Sequence, residues 1–522
     1  MFSCSLGIPD ILSFAIGAGA GLILTRSARG LAQKYGFTDS PDGHRKLQAG
    51  SVPVAGGVAT LLAAVLGVVV TVACCPEIVV AMSADLRRYV SLLVAAVFLT
   101  TVGVVDDRRN LRARHKLLGQ VAAALILVFG GGYLIERISM FGLVVEFGTL
   151  AVPVTVLWFL VCVNALNLID GMDGLLGTVG LIALITVAVI ALMAGHMAAA
   201  VIAFALAGAV LGFLFFNLPP ATIYMGDAGS MLIGLVIGAL GISATLKGPA
   251  TVALITPVAI LTLPMLDTSA AVIRRKLTGR GLATTDRGHL HHVLLRNGMT
   301  IPRVLLLVAT LGLVASSGAL ASAALNHDGY ALVAAVGVVA TLLVTKLFGH
   351  TEFHLIRRWV SRSLRGAVGL TDTRTSQEMT VRLQGSADWE SIWADLCAAA
   401  EELNLQGIGM DVNAPAFHEN YHARWNRAGQ ATPETHQWRV EIPFLFRGHL
   451  LGRMAIAGCR EEGVAIGEKL RVVTGIIESA EARMTAMTNP MAVAERDDAA
   501  AGAALVDESE THRHGQPLLG RA

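Results

Sequence analysis

Four short polar clusters interrupt a largely apolar sequence, and their residue types suit work on phosphates. Asn164 to Leu175 holds two amides, two acids and two glycines between long apolar runs. Polar groups in such a place are costly unless they meet water, an ion or a ligand. Asp170 and Asp173 share a face if the segment is helical, and so could reach one cation together. The other reading makes Asp173 the cap of a helix beginning near Gly174. Asp106-Asp107 ends another apolar run and is followed by four arginines, a histidine and Lys116. Adjacent carboxylates repel unless neutralised; Mg²⁺ uses carboxylates together with substrate phosphates, and neighbouring arginines are the alternative partners. Lys116 could hold a phosphate as a point charge or simply anchor a span. Tyr224-Met225-Gly226-Asp227-Ala228-Gly229-Ser230 offers one acid between glycines, as a ligand or as a helix cap. Arg274-Arg275-Lys276 and Asp286-Arg287-Gly288-His289-Leu290-His291-His292 form the largest basic segment, suited to phosphates or anionic headgroups. On a helix His289 and His292 share a face and His291 points elsewhere; the cluster is ambiguous among metal site, anion site and solvated loop. Arg45 and Lys46, ahead of Gly56-Gly57, could bind a phosphate or act as positive anchors; the glycines allow close helix packing.

The elements that must position these clusters follow from composition. Of 522 residues 54% are hydrophobic and only 15% charged, against about 25% charged in soluble domains. Runs of about 20 apolar residues make the chain a polytopic helical membrane protein. Eleven spans are expected, at about 8–25, 53–74, 89–105, 117–135, 148–166, 174–195, 197–216, 229–246, 249–268, 302–324 and 329–348. The loops 26–52, 106–116 and 269–301 carry sixteen Lys and Arg; the loops 75–88, 136–147 and 247–248 carry four. That asymmetry puts the first set in the cytoplasm, the N-terminus outside and the C-terminus inside. All four clusters then gather at the cytoplasmic face, as expected for an enzyme joining a soluble substrate to a lipid. A transporter, the competing class, would place ionisable groups near the bilayer midplane. The net charge of +2 gives no argument for nucleic acid. The six cysteines show no C-x-x-C spacing, so neither a disulfide framework nor a zinc site is expected. The N-terminal run lacks a charged region before it and a cleavage site, and reads as a retained span.

Beyond residue 349 the composition changes. Residues 350–377 read as a basic juxtamembrane linker. From 378 to 485 a small α+β domain is expected, with a helix at Trp389–Leu403, a strand at Ile408–Val412, a hairpin of Trp438–Phe446 with Leu450–Ala457, and a closing helix at Glu468–Met484. This order suggests a sensor-type module with a ligand or partner of its own. The tail 486–522 is compositionally disordered.

The order D-D…K, N-x-x-N-x-x-D-G-x-D-G-L, M-G-D-x-G-S and D-R-x-H-L-H-H resembles the polyprenyl-phosphate N-acetylhexosamine-1-phosphate transferases. The H-L-H-H form is similar to the WecA-type branch rather than the MraY branch, and the match runs from about Asp39 to Gly298. The resemblance implies transfer of a sugar 1-phosphate from a UDP-N-acetylhexosamine, by default UDP-GlcNAc, to undecaprenyl phosphate with release of UMP. The product would start a cell-envelope polysaccharide such as lipopolysaccharide, at the inner membrane. Other UDP-amino sugars, or UDP-MurNAc-pentapeptide, are the alternatives. It implies Mg²⁺, or Mn²⁺, and a homodimer. By resemblance Asp106, Asp107 and Asp227 are the catalytic and metal-binding acids. Asn164, Asn167, Asp170 and Asp173 fall at the nucleotide-sugar site, and Tyr224 falls near the uracil. Lys46, Lys116, Arg287, His289, His291 and His292 fall around the phosphates. One departure is Gln48, where relatives often carry a histidine, which lowers the weight of the N-terminal loop. Attack by the lipid phosphate on the β-phosphorus, and a covalent phospho-Asp route, both fit these residues.

Overall fold

The computed structural model describes residues 6–39, 51–248, 251–252, 254–277, 288–349, 377–384, 389–414, 419–427, 437–446, 449–459 and 470–475, with a few single positions besides. They fall into two compact units that divide at residue 364.

In the first unit α1 (Ile8–Lys34) leads to β1 (Thr38–Asp39), which pairs antiparallel with β2 (Val52–Pro53). Next come α2 (Gly56–Cys74), the short α3 (Pro76–Ala84), α4 (Leu86–Arg109) and α5 (Ala113–Leu125), which widens into a π turn at Ile126–Gly130. The strands β3 (Arg137–Met140) and β4 (Leu143–Glu146) form a hairpin through Phe141-Gly142. Both loop residues have positive φ, matching the twist of the strands. Four helices follow: α6 (Ala151–Ile169), α7 (Leu175–Met193), α8 (Met197–Asn217) and α9 (Gly226–Ala244). The short strands β5 (Leu246–Gly248) and β6 (Thr251–Val252) extend the hairpin to four strands, in the order β4-β3-β6-β5. The unit continues with α10 (Ile255–Ile260), α11 (Thr262–Leu277), α12 (Leu290–Arg296), α13 (Ile301–Leu325) and α14 (Gly329–Val344).

Among the described residues nine helices are long and apolar enough to cross a membrane. The centre is α9, whose apolar window is 94% buried. Its sequence is small or apolar on every side, as a helix without a lipid or water face requires. It packs against α2, α4, α6 and α7. Close approach depends on glycine. A side chain at Gly57 would fall on the Ala228–Gly229 backbone, and one at Gly103 on Ala228. The N-terminal end of α2 and the C-terminal end of α4 are thereby seated against the first turn of α9. Likewise Gly17 and Gly21 of α1 lie on the backbone of α8, while Gly208 and Gly212 of α8 lie on the backbone of α1. This is a G-x-x-x-G pair on both partners.

Two of the eleven expected spans take another form. Residues 249–268 are not one helix: the described part breaks at Leu261 between α10 and α11. Pro264 explains the break, because it has no N–H for the carbonyl four residues back and its ring crowds that turn. The expected span at 329–348 is a 16-residue apolar helix, shorter than the nine.

The second unit is a five-stranded antiparallel sheet backed by a helix. Its elements are β7 (Gln377–Gln384), α15 (Trp389–Glu402), β8 (Gly407–Ala414), β9 (Glu419–Asn426), β10 (Gln437–Phe446) and β11 (His449–Cys459), with strand order β10-β11-β8-β9-β7. Alternate residues Ile408, Met410 and Val412, and Tyr421, Ala423 and Trp425, face Trp389, Trp393 and Leu396 in one core. The expected helix, the strand at 408–412 and the hairpin are present. The strands β7 and β9 were not expected, so the element order is richer than helix–strand–hairpin–helix. Most of the expected linker, most of the expected closing helix and the tail 486–522 lie outside the described residues.

Candidate active site

Four helices deliver four polar side chains to one point. The acidic pair sits in the last turn of α4, which stops at Asn110 in the left-handed region. Leu111 N then donates to Asp106 Oδ1 at 2.7 Å. Lys116, in the first turn of α5, places Nζ 3.1 Å from Asp106 Oδ2 and 2.7 Å from Asp227 Oδ2 of α9. It also donates to Asn167 Oδ1 of α6 at 3.0 Å. A cation in a first turn opposes the helix dipole; the two carboxylates offset that cost. Asn167 Nδ2 donates to Asp227 Oδ1 and, at 2.8 Å, to Ser230 Oγ. Behind the cluster Asn164 exchanges amide hydrogen bonds with Gln120, at 2.8 and 3.3 Å, and donates to Leu160 O. Asn164 is thus a supporting residue rather than one facing the cluster.

Asp107 points another way. Its two oxygens accept from Asp227 N at 2.8 Å and Ala228 N at 3.2 Å, so α4 caps α9. Gly226, at φ +72°, leaves room for that carboxylate: a Cβ there would lie 2.6 Å from Asp107 Oδ2. Asp227 is therefore not the cap of its own helix. The partners of the acidic pair are thus Lys116 and backbone amides rather than the neighbouring arginines, of which Arg108 lies 6.0 Å from the centroid of the Phe37 ring.

The segment between α6 and α7 is a turn, not a helix, so Asp170 and Asp173 do not share a helical face. Asp170 follows α6 directly. Burial, then the Asp227 and Asp107 carboxylates, push its carboxyl up to about 8, against the pull of Lys116. Asp173 instead accepts from Ala221 N at 2.9 Å and caps no helix, α7 beginning after Gly174. Asn217, which the sequence reading passed over, links the same two loops: it accepts from Gly174 N and donates to Ile223 O, each at 3.0 Å. Tyr224 is bridged to Val54 and holds Gly56 N through its carbonyl. Burial, then Asp173, Asp39 and Asp170, push its phenol up to about 12.

The histidines divide in a way that a single helical face does not describe. His289 precedes α12 with extended backbone. Its Nδ1 lies 3.0 Å from Asp267 Oδ2, and Leu290 N donates to Asp267 Oδ1 at 2.8 Å. His291 is buried with its ring against Gly171, where any Cβ would strike it. Among the described residues neither of its ring nitrogens has a hydrogen-bond partner. Burial, with His292 and His289 nearby, pulls its pKa well below the usual histidine range, so the ring is neutral. The His291 and His292 rings are 4.1 Å apart. Arg274, expected to reach phosphates or headgroups, is buried over Gly288. Lys46, Arg45, Asp286 and Arg287 lie outside the described residues.

Among the described residues no three acids, histidines or cysteines converge as a metal cage. Two carboxylates, Asp106 and Asp227, do converge from different helices on one cation, the Lys116 ammonium. That donor set fits Mg²⁺, which takes one or two carboxylates and completes its shell from substrate phosphates and water. Asp107, with both oxygens on backbone amides, fits less well.

Comparison with known proteins identifies a family. Residues 89–245, which contain Asp106, Asp107, Lys116, Asn167, Asp170 and Asp227, match the profile of glycosyl transferase family 4. The chain is 31% identical over 318 residues to a protein of Bacillus subtilis named probable undecaprenyl-phosphate N-acetylglucosaminyl 1-phosphate transferase, covering 59% of this chain and 84% of that one. A decaprenyl-phosphate N-acetylglucosaminephosphotransferase of Mycolicibacterium smegmatis is 32% identical over 279 residues, 49% of this chain and 68% of its own. The undecaprenyl-phosphate alpha-N-acetylglucosaminyl 1-phosphate transferase of Escherichia coli O157:H7 is 29% identical over 302 residues, 56% and 79% respectively. Likeness over most of a relative's length, with the polar cluster inside the matched region, makes this chain a member of glycosyl transferase family 4.

Proposed function

We propose that the first unit transfers N-acetylglucosamine 1-phosphate from UDP-GlcNAc to undecaprenyl phosphate, releasing UMP and starting a cell-envelope polysaccharide. The observation that carries this reading is the convergence of Asp106, Lys116, Asn167 and Asp227 at the first turn of α9. The names of the relatives support the substrates. Eleven passages, counting α10–α11 and α14, with the N-terminus outside, would put this cluster on the cytoplasmic side of the inner membrane.

In the reaction an oxygen of the lipid phosphate bonds to the β-phosphorus of the UDP-sugar. The bond from that phosphorus to the bridging oxygen breaks, and UMP leaves with the oxygen. The lipid phosphate is already an oxyanion, so the barrier is mainly repulsion between anions. Lys116 supplies one fixed positive charge against it, held in place by Asp106 and Asp227. Asp107 fixes the start of α9 and with it the position of Asp227. Asn167 orients Asp227 through one oxygen and leaves the other to Lys116. His291, neutral and unpartnered beside Gly171, offers a hydrogen bond to the nucleotide-sugar. A divalent cation held by Asp106 and Asp227 would supply further charge neutralisation at the diphosphate. The second unit is proposed as a separate ligand- or partner-binding module.

The test is transfer of radiolabel from UDP-GlcNAc into the lipid phase by purified protein with undecaprenyl phosphate, with and without Mg²⁺. Label that depends on the metal supports the reading. Transfer only from another UDP-amino sugar changes the sugar and keeps the chemistry. No transfer from any UDP-sugar by folded protein sinks it. Exchange of labelled UMP into UDP-GlcNAc without lipid would favour a phospho-Asp route over direct attack.

A further inference from the structure

Asp267 belongs to none of the polar clusters of the sequence, yet it is one of the most deeply buried acids in the first unit, at 1% exposure. It lies on α11 beyond the break at Leu261, 22 residues before the histidine it holds. Both its oxygens are used on one short stretch. Oδ2 meets His289 Nδ1 at 3.0 Å, and Oδ1 accepts Leu290 N, the first amide of α12, at 2.8 Å. Seven residues on, and so on the same face of α11 two turns away, Arg274 covers Gly288; a Cβ there would come 2.5 Å from its guanidinium carbon. One face of α11 thus grips Gly288, His289 and Leu290 in succession. The next residue is His291, seated on Gly171 beside Asp170.

We propose that Asp267 is the positioning residue of the histidine cluster. A carboxylate only accepts, so it selects the Nδ1–H form of His289 and leaves Nε2 as the ring's acceptor, directed away from α11. The hydrogen bond at one ring nitrogen decides the chemistry of the other. By pinning Leu290 N the same side chain fixes where α12 starts, and so where His291 meets the loop after α6. The break between α10 and α11 gives this face its place, because α11 need not continue the line of α10.

The kinetic arm of the test rests on the transferase reading; the exchange arm does not. Asp267→Asn keeps an oxygen for Leu290 N but turns an amide N–H₂ toward His289 and inverts its tautomer. Asp267→Ala removes both bonds. In purified full-length protein, hydrogen–deuterium exchange over residues 288–296 is expected to quicken about tenfold or more in Asp267→Ala and to stay near wild type in Asp267→Asn. Turnover is expected to fall about 10- to 100-fold in both, with the melting temperature of Asp267→Asn unchanged. A merely structural residue would regain its turnover together with its exchange protection in Asp267→Asn, and that result overturns the assignment. So does Asp267→Ala with wild-type exchange over 288–296. A wild-type enzyme without transfer would refute the transferase reading instead, and the exchange arm would still decide Asp267.

Discussion

Asp106, Lys116, Asn167 and Asp227 come from four helices and meet at 2.7 to 3.1 Å around one ammonium. In the C-terminal sheet Arg439, Glu441 and Arg453 also form pairs, but at 3.5 and 3.8 Å and between side chains that are each at least half exposed. Surface pairs of the second kind contribute between nothing and about 1 kcal/mol. In the first kind, removal of one partner leaves another charge without compensation in a poorly hydrated place. Charge in this cluster is therefore gathered where helices end and is interdependent. The Arg439, Glu441 and Arg453 pairs instead lie on a sheet whose core is apolar, with Trp389, Trp393, Tyr421 and Trp425 buried.

That contrast breaks first at Asp227. Asp227→Asn is expected to lower turnover about 10²- to 10³-fold, read as lipid-phase label per minute, without moving the melting of the second unit. Turnover within tenfold of wild type would mean that the cluster is structural only. A smaller effect is expected at Gly103, where a side chain must displace the Ala228 backbone. Gly103→Val should cost about 1–3 kcal/mol of stability, seen as a lower melting temperature in detergent. Gly30→Ala, with nothing near its Cβ, should leave melting where it was; equal shifts for both would refute close packing as the device that seats α4.

Asp170 sharpens the comparison through pH. Its carboxyl is pushed up to about 8, from about 4 in an unfolded chain. The stabilisation from its protonated form is full below about pH 4 and is lost as the pH rises through about 8. Wild-type melting temperature is expected to fall more steeply between pH 5 and 9 than that of Asp170→Asn; parallel curves would contradict the shift. The smallest effect is expected from truncation near Thr375. Turnover should stay within about twofold, as for units that do not share an active site. A truncated enzyme that folds but does not turn over would end the separation of roles.

The cluster was legible because its chemistry needs particular residue types near membrane boundaries, and Asp106, Lys116, Asn167 and Asp227 are conspicuous there. Their division of labour was not. Nothing in Val104-Val105-Asp106-Asp107 says that one acid faces Lys116 and the other caps a helix 120 residues away. Gln120 carried a weak signal, one turn after Lys116 on the same helix. Asp267 carried none, since its partner is distant in sequence and its neighbours are apolar. The break at Leu261 could have been read from Pro264. In the second unit β9 alternates Tyr421, Ala423 and Trp425 with His422 and Arg424, a period of two that polar residues masked.

The glycine seam between α1 and α8 has a consequence for biogenesis. Ribosomes add about 5–20 residues per second, so the partner of the first membrane helix is complete only roughly 10 to 40 s after that helix has been made. Until then α1 has only α2 beside it, where Gly67 lies against Ser13 and Gly17, and the groove that Gly17 and Gly21 form for α8 stays open. Quality control in the membrane would meet an α1–α2 pair whose groove for α8 is still unfilled.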